Sequence, residues 1–154
     1  LLYNSAFNGG SGYTNTKGEL KQKGLESSIV FGGKNQKLTF SNTISSSKQL
    51  DGTHQLNRPD STYGINYSKK IYTKTRGSFV LSYDYKHFGK AFDYVNSVIT
   101  KVDSTDIMNI VLSNNIFDYN FSFAVTNLLN EAYERPVGYS ANGRQIVFGL
   151  KKSF

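Results

Sequence analysis

Residues 144–154 alternate in parity: Ile146, Phe148, Leu150, Lys152 and Phe154 occupy one set of positions, and Gln145, Val147, Gly149, Lys151 and Ser153 the other. Successive side chains of an extended chain point to opposite faces, so period two over this length predicts a strand with one face more apolar than the other. The same pattern recurs upstream. Leu25, Ile29 and Phe31 oppose Glu26, Ser28 and Val30, and Leu38, Phe40 and Ile44 oppose Thr39, Ser41, Thr43 and Ser45. Tyr63, Ile65, Tyr67 and Ile71 oppose Thr62, Gly64, Asn66 and Ser68; Phe79, Leu81, Tyr83 and Tyr85 oppose Ser78, Val80, Ser82, Asp84 and Lys86. Met108, Ile110, Leu112 and Ile116 share a face in a fifth segment, and Tyr119, Phe121, Phe123 and Val125 in a sixth. Asn42, Lys69 and Asn114 interrupt the apolar faces.

The connections alternate as well. Residues 32–36, 72–76 and 117–119 read as tight turns, whereas 47–60, 90–105 and 130–143 are long. Outer-membrane barrels have this asymmetry, with short periplasmic turns and long extracellular loops. The expectation is therefore an all-β, antiparallel transmembrane β-barrel, with Phe154 at the short-turn, periplasmic side. A soluble sandwich also supplies strands, but it has no need to gather its long loops at one end. Charge follows the same division. Lys34, Lys37, Lys69, Lys70, Lys74, Arg76, Lys151 and Lys152 lie near the short-turn rim, and Asp51, Asp60, Asp93, Asp103, Asp106, Glu131 and Glu134 lie in or beside the long loops.

Composition narrows the class further. The chain has 154 residues, of which 38% are hydrophobic, and no stretch approaches the roughly 18 to 20 apolar residues that a membrane helix needs. Eleven Tyr and eleven Phe among abundant Ser, Asn, Thr and Gly favour strands and turns. Cysteine is absent, which excludes a disulfide scaffold and Cys-based metal sites. The net charge of +7 is spread singly and in pairs, without a run that would point to nucleic acid as partner. Leu1-Leu2-Tyr3-Asn4 reads as the middle of something longer. Seven full strands preceded by a stub at residues 1–7 predict a fragment whose earlier strands lie upstream, because open sheet edges are not left in lipid.

Catalytic chemistry finds little support. His54 and His87 lack a metal-ligand spacing and read as loop or rim residues. Glu26 and Asp84 are carboxylates on the inward face of different strands, with Lys86 beside Asp84. The glycine-rich residues 9–12 lack a following helix or lysine and read as a flexible loop. The expectation is no enzyme, no cofactor and no metal. Two rivals of other classes stay open: a small eight-stranded outer-membrane barrel with a structural or adhesive role, and an outer-membrane enzyme.

Particular residues then point to a family. Asn127-Leu128-Leu129-Asn130, Tyr133, Gly138-Tyr139, Gly143-Arg144 and the terminal Phe154 resemble the C-terminal signature of TonB-dependent outer-membrane receptors. There an N-L-x-[ND] stretch ends the penultimate strand and G-R opens the last. Tyr13-Thr14-Asn15 with Lys23-Gly24-Leu25-Glu26, and Leu56-Asn57-Arg58-Pro59, are similar to further elements of that family in the same order. Lys152 departs from it, standing where an aromatic or apolar residue is common. The resemblance implies the C-terminal part of a 22-stranded plugged barrel, here strands 16 to 22 with the end of strand 15, the plug and TonB box lying outside this chain. It implies import of cobalamin or a ferric siderophore, cobalamin being favoured by residues 131–144. The implied partners are outer-membrane lipid, the TonB system and the barrel-assembly machinery, which would read Phe148, Leu150 and Phe154. His54, Arg58, Tyr94, Arg135 and Tyr139 are the loop candidates for ligand contact.

Overall fold

Strands form where the alternation runs. The computed structural model describes residues 2–7, 10–14, 20–49, 52, 54–73, 77–96, 98–116 and 118–152. Its eleven strands are β1 (Leu2–Phe7), β2 (Gly10–Thr14), β3 (Leu20–Gly33), β4 (Gln36–Gln49), β5 (Ser61–Thr73), β6 (Gly77–Phe88), β7 (Ala91–Val95), β8 (Val98–Val102), β9 (Thr105–Ile116), β10 (Tyr119–Thr126) and β11 (Gln145–Lys152). No helix occurs among the described residues, and the class is all-β. The seven segments picked out by alternation are β3, β4, β5, β6, β9, β10 and β11. They form one antiparallel sheet in the order β11-β10-β9-β6-β5-β4-β3. Phe154, Lys74, Arg76, Phe117, Gly9, Asn15 and Asp51, used above, lie outside the described residues.

Pairing register turns the linear alternation into rows that cross the sheet. Phe31 lies opposite Leu38, Leu38 opposite Tyr67, Tyr67 opposite Tyr83, Tyr83 opposite Ile110, Ile110 opposite Val125 and Val125 opposite Ile146. One apolar row thus runs through all seven strands. A second joins Leu81, Leu112, Phe123 and Phe148, and a third joins Ile29, Phe40, Ile65, Tyr85 and Met108. Cross-strand pairs of this kind stabilise a sheet, but on one face only. The opposite face carries Ser, Thr, Gly, Asn and Asp, such as the row Val30, Thr39, Asn66, Asp84 and Asn109.

Nothing among the described residues covers the apolar face as a core would. Among the described residues the only buried apolar one is Ala91, whereas Leu25, Phe31, Ile146 and Phe148 are each more than half exposed, and even Phe123, between two neighbouring strands, is 46% exposed. The sheet is also open, because β3 and β11 each have a neighbour on one side only. A single layer with one greasy face cannot gain the hydrophobic stabilisation, roughly 1.5–3 kcal/mol per large side chain, that a soluble domain draws from its interior. A soluble sandwich would have put these rows against a second sheet.

The alternation of connections holds. Gly33 and Gln36 close a two-residue turn at Lys34 and Asn35, Thr73 pairs with Gly77, and Ile116 pairs with Tyr119, all at one end. The long connections lie at the other end. Two readings differ from the observed structure. Residues 90–105 are not a plain loop but contain the β7–β8 hairpin, which the chain inserts before β9 pairs directly with β6. The glycine-rich run expected as a flexible loop instead enters β2, which pairs with β1 in a separate two-stranded sheet, with Tyr3 opposite Tyr13. Tyr is a good strand former and a register shift between Asn4 and Phe7 absorbs the irregularity.

Gly77 shows what a tight turn demands. Its φ is +76° and an added Cβ would lie 3.0 Å from the Asn115 carbonyl oxygen, so a side chain would be strained by the backbone conformation and crowded by its neighbour. Gly77→Ala is expected to cost about 1–2 kcal/mol in denaturant unfolding. Gly32→Ala, with nothing within 4 Å of its added Cβ, is expected to be neutral or slightly stabilising.

Candidate functional site

The three long connections fold over the polar face at their end of the sheet and bind one another. Ser45 and Ser47 belong to that face, and their hydroxyls donate to Pro59 O at 3.3 Å and Gln55 Oε1 at 2.6 Å. This draws residues 54–60 across the end of β4. The same segment is tied to the inserted hairpin, since Asn57 N donates to Phe92 O at 2.6 Å and Asp60 N to Lys90 O at 2.9 Å.

The third connection, 127–144, is shaped by two asparagines. Asn127 and Asn130 both have positive φ, +48° and +56°, a conformation that Asn tolerates better than most residues. Asn127 is buried; its Nδ2 donates to Glu131 O at 2.9 Å and Asn142 O at 3.1 Å, and its Oδ1 accepts from Glu131 N at 3.0 Å. Asn130 Oδ1 accepts from Arg144 N at 2.9 Å, just before β11 begins. These bonds make Asn127-Leu128-Leu129-Asn130 a clasp that holds both ends of the connection.

Arg135 carries this connection onto the others. Its Nη2 donates to Gly89 O at 2.9 Å and Asp103 O at 3.0 Å, and its guanidinium lies 5.5 Å from the Phe88 ring centroid. Burial pushes the guanidinium below its ordinary value, with the nearby Tyr133 acting in the opposite direction. Val137 N donates to the buried Asp93 carboxylate at 2.7 Å. Between these contacts lies a recess of about 200 Å³ lined by Asn57, Ala91, Val102, Arg135 and Pro136.

A larger cleft of about 300 Å³ opens between residues 54–60, the end of β4 and the β7–β8 hairpin. His54 and Phe92 stack there with ring centroids 4.2 Å apart and an interplanar angle of 17°. Arg58, Lys90, Lys101 and Asp60 add charge to its lining, and Ser45, Ser46 and Ser47 add hydroxyls. Among the described residues Arg58, Lys90 and Lys101 enter no ion pair. An aromatic wall beside three cations and a single carboxylate suits a ligand that is both flat and anionic, because the rings supply contact area and the net positive charge supplies complementarity.

The five sequence-predicted ligand residues therefore separate. His54 and Arg58 meet in the larger cleft, Arg135 lines the smaller recess while acting as a strut, and Tyr94 and Tyr139 are exposed on the hairpin and on the third connection. Lys90, Phe92 and Lys101 were not picked out. The signal for them is the short alternation of residues 91–95 and 98–102 flanking Asn96, whose φ of +48° makes the turn. Phe148 and Leu150 stand on the exposed apolar face.

The carboxylates on the polar face do not form an acid and base pair. Glu26 on β3 and Asp84 on β6 are three strands apart, about 14 Å across the sheet, and are offset by four residues along it, because the register places Glu26 level with Phe88. Asp84 instead accepts from Asn66 Nδ2 at 3.4 Å and, at the limit of bonding distance, from Asn109 Nδ2 at 3.5 Å. His87 Nδ1 donates to Asp106 Oδ1 at 2.8 Å, and Tyr85 Oη donates to the same oxygen at 2.7 Å, at the long-loop end of the apolar face.

Asn127→Ala removes the three side-chain bonds and leaves an alanine at positive φ, so it is expected to destabilise the connection by about 2–4 kcal/mol. Asn127→Gly keeps the conformation and loses only the bonds, so hydrogen exchange at Glu131 N should accelerate less in that variant. Equal acceleration in both would assign no part of the effect to backbone conformation. No protein-family model matches the chain, and no curated protein matches it.

Proposed function

We propose that this chain is the C-terminal part of the barrel wall of a TonB-dependent transporter in a bacterial outer membrane, importing a scarce large ligand, cobalamin or a ferric siderophore. One observation carries the reading. One apolar row crosses all seven strands and shorter rows lie beside it on the same bare face, while the long connections fold over the other face. Hydrocarbon would cover the first face, and a filled lumen would lie against the second.

Dimensions agree with that assignment. Tyr63 to Ile71 on β5 covers eight residue steps, about 27 Å along an untilted strand, against an apolar band of about 25 Å in such barrels. Lys152 has a physical place here. It lies opposite Tyr119, with its Nζ 5.5 Å from the ring centroid, at the short-turn end where an amphipathic side chain reaches the headgroups. The open edges of β3 and β11 would be closed by the remaining strands of a 22-stranded barrel, because unpaired backbone groups are costly in lipid.

The motif positions support the family. Asn127-Leu128-Leu129-Asn130 directly follows β10, Gly143-Arg144 directly precedes β11, and Arg58-Pro59 stands two residues before β5. The plug and TonB box would belong to the part of the protein upstream of this chain. The cleft beside His54, Arg58 and Phe92, with the exposed Tyr94 and Tyr139, would form part of the vestibule where ligand is first captured.

Two measurements on the full-length protein test this reading. Uptake of radiolabelled cyanocobalamin and of a ferric siderophore should depend on the TonB system, and simultaneous alanine substitution of His54, Arg58, Tyr94, Arg135 and Tyr139 should reduce it. Unchanged uptake would remove those residues from the ligand site. In bilayers, Leu112→Arg is expected to destabilise by about 2–4 kcal/mol, as charges do near the midplane of a lipid face. Ser113→Arg, on the opposite face of the same strand, should cost far less, and equal costs would contradict the assignment of the faces.

A further inference from the structure

The pairing of β3 with β4 places three lysines on the apolar side of the sheet, beyond its last apolar pair. Leu25 lies opposite Ile44, Lys23 lies opposite Ser46 one row further toward the long-loop end, and Lys21 lies opposite Lys48 in the next row. All share the parity of Leu25, Ile29 and Phe31 on β3 or of Phe40 and Ile44 on β4. All three lysines are exposed, and among the described residues none enters an ion pair.

Like charges directly opposite in a sheet repel, since their Cβ atoms stand only about 4.5–5.5 Å apart. The Lys21–Lys48 pair gains from an anion between its ammonium groups. Lys23 is about 7 Å along the strand from that pair and about 7 Å from Leu25. Its four-carbon stem can lie on apolar surface while its ammonium reaches outward.

We infer that Lys21, Lys23 and Lys48 bind the phosphate groups of a phosphorylated lipid in the leaflet at the long-loop end. The inference rests on the membrane reading of the apolar face. Charge complementarity calls for an anion, and a lipid headgroup presents its anion as phosphate, to whose oxygens the ammonium groups would donate. Continuity with Leu25, Ile44, Ile29 and Phe40 selects a lipid over a free anion, because acyl chains would lie on those side chains while the headgroup meets the lysines. The wall here is a sheet face without a concavity, so inorganic phosphate has nothing beyond charge to hold it.

The test compares the full-length wild-type protein with a Lys21→Gln/Lys23→Gln/Lys48→Gln variant and with the corresponding triple arginine variant. Each is reconstituted in phosphatidylcholine bilayers containing lipid A, and retained lipid A is measured by native mass spectrometry; inorganic phosphate is the competing probe. Binding should weaken by about fivefold for each lysine removed and be kept by the arginine variant. Undiminished lipid A retention by the glutamine variant would overturn the proposal, as would displacement of lipid A by millimolar phosphate. Should the wild-type protein fail to enter the bilayer, the membrane reading itself falls; a wild type that inserts while the glutamine variant retains lipid A sinks only the lysine site.

Discussion

Strand register is the constraint on which the rest of this structure depends. A side chain's face is fixed by its parity, so a slip of one residue in any pairing would send that strand's apolar set to the polar side. Seven strands keep their parity in step, and the row from Phe31 to Ile146 is the result. No single contact holds this arrangement. Each pairing inherits its phase from the one before, and the tight turn at Lys34 and Asn35, with the pairs Thr73–Gly77 and Ile116–Tyr119, sets that phase at one end.

The consequence is a wall and not a globule. A chain of this length could bury a sizeable interior, yet most large apolar side chains of the seven-stranded sheet stand on one bare face, and Ala91 in the inserted hairpin is the sole buried apolar residue among those described. Polar contacts take over the ordering role at the long-loop end. Ser45, Ser47, Asn127 and Arg135 each bind backbone or side-chain groups of a connection and bring it over the polar face. Connections held this way can vary in sequence without altering the sheet that supports them, as surface loops on a rigid scaffold commonly do.

Sequence alternation made the wall legible but not what the loops do. Seven strands and their two faces follow from parity because each apolar set is long enough to outlast interruptions such as Asn42 and Asn114, whereas the order of the strands is known from their pairing. The β7–β8 hairpin is not legible in the sequence because its strands are only five residues each, too short for the alternation to stand out from a long connection. The pairing of β2 with β1 was obscured by glycines that read as a loop. His54 and Arg58 could be proposed from composition and position, but their meeting with Phe92 depends on hydrogen bonds at Asn57 and Asp60 that alternation does not encode. For Arg135, sequence reasoning offered a ligand contact, and the structure adds a packing role through two backbone carbonyls.

These 154 residues contain no cysteine, so once any cysteine elsewhere in the full-length protein is replaced, single cysteines carrying a spin label can be placed one at a time along β6. Accessibility to oxygen dissolved in the bilayer and to a water-soluble nickel complex then reports each face separately in the reconstituted full-length protein. The account predicts a period of two, with oxygen access high at Phe79, Leu81, Tyr83 and Tyr85 and low at Ser78, Val80, Ser82 and Asp84, and with nickel access in the opposite phase. Protection of the first set from both reagents would mean that a second protein layer covers the apolar face, and would contradict the lipid-facing wall.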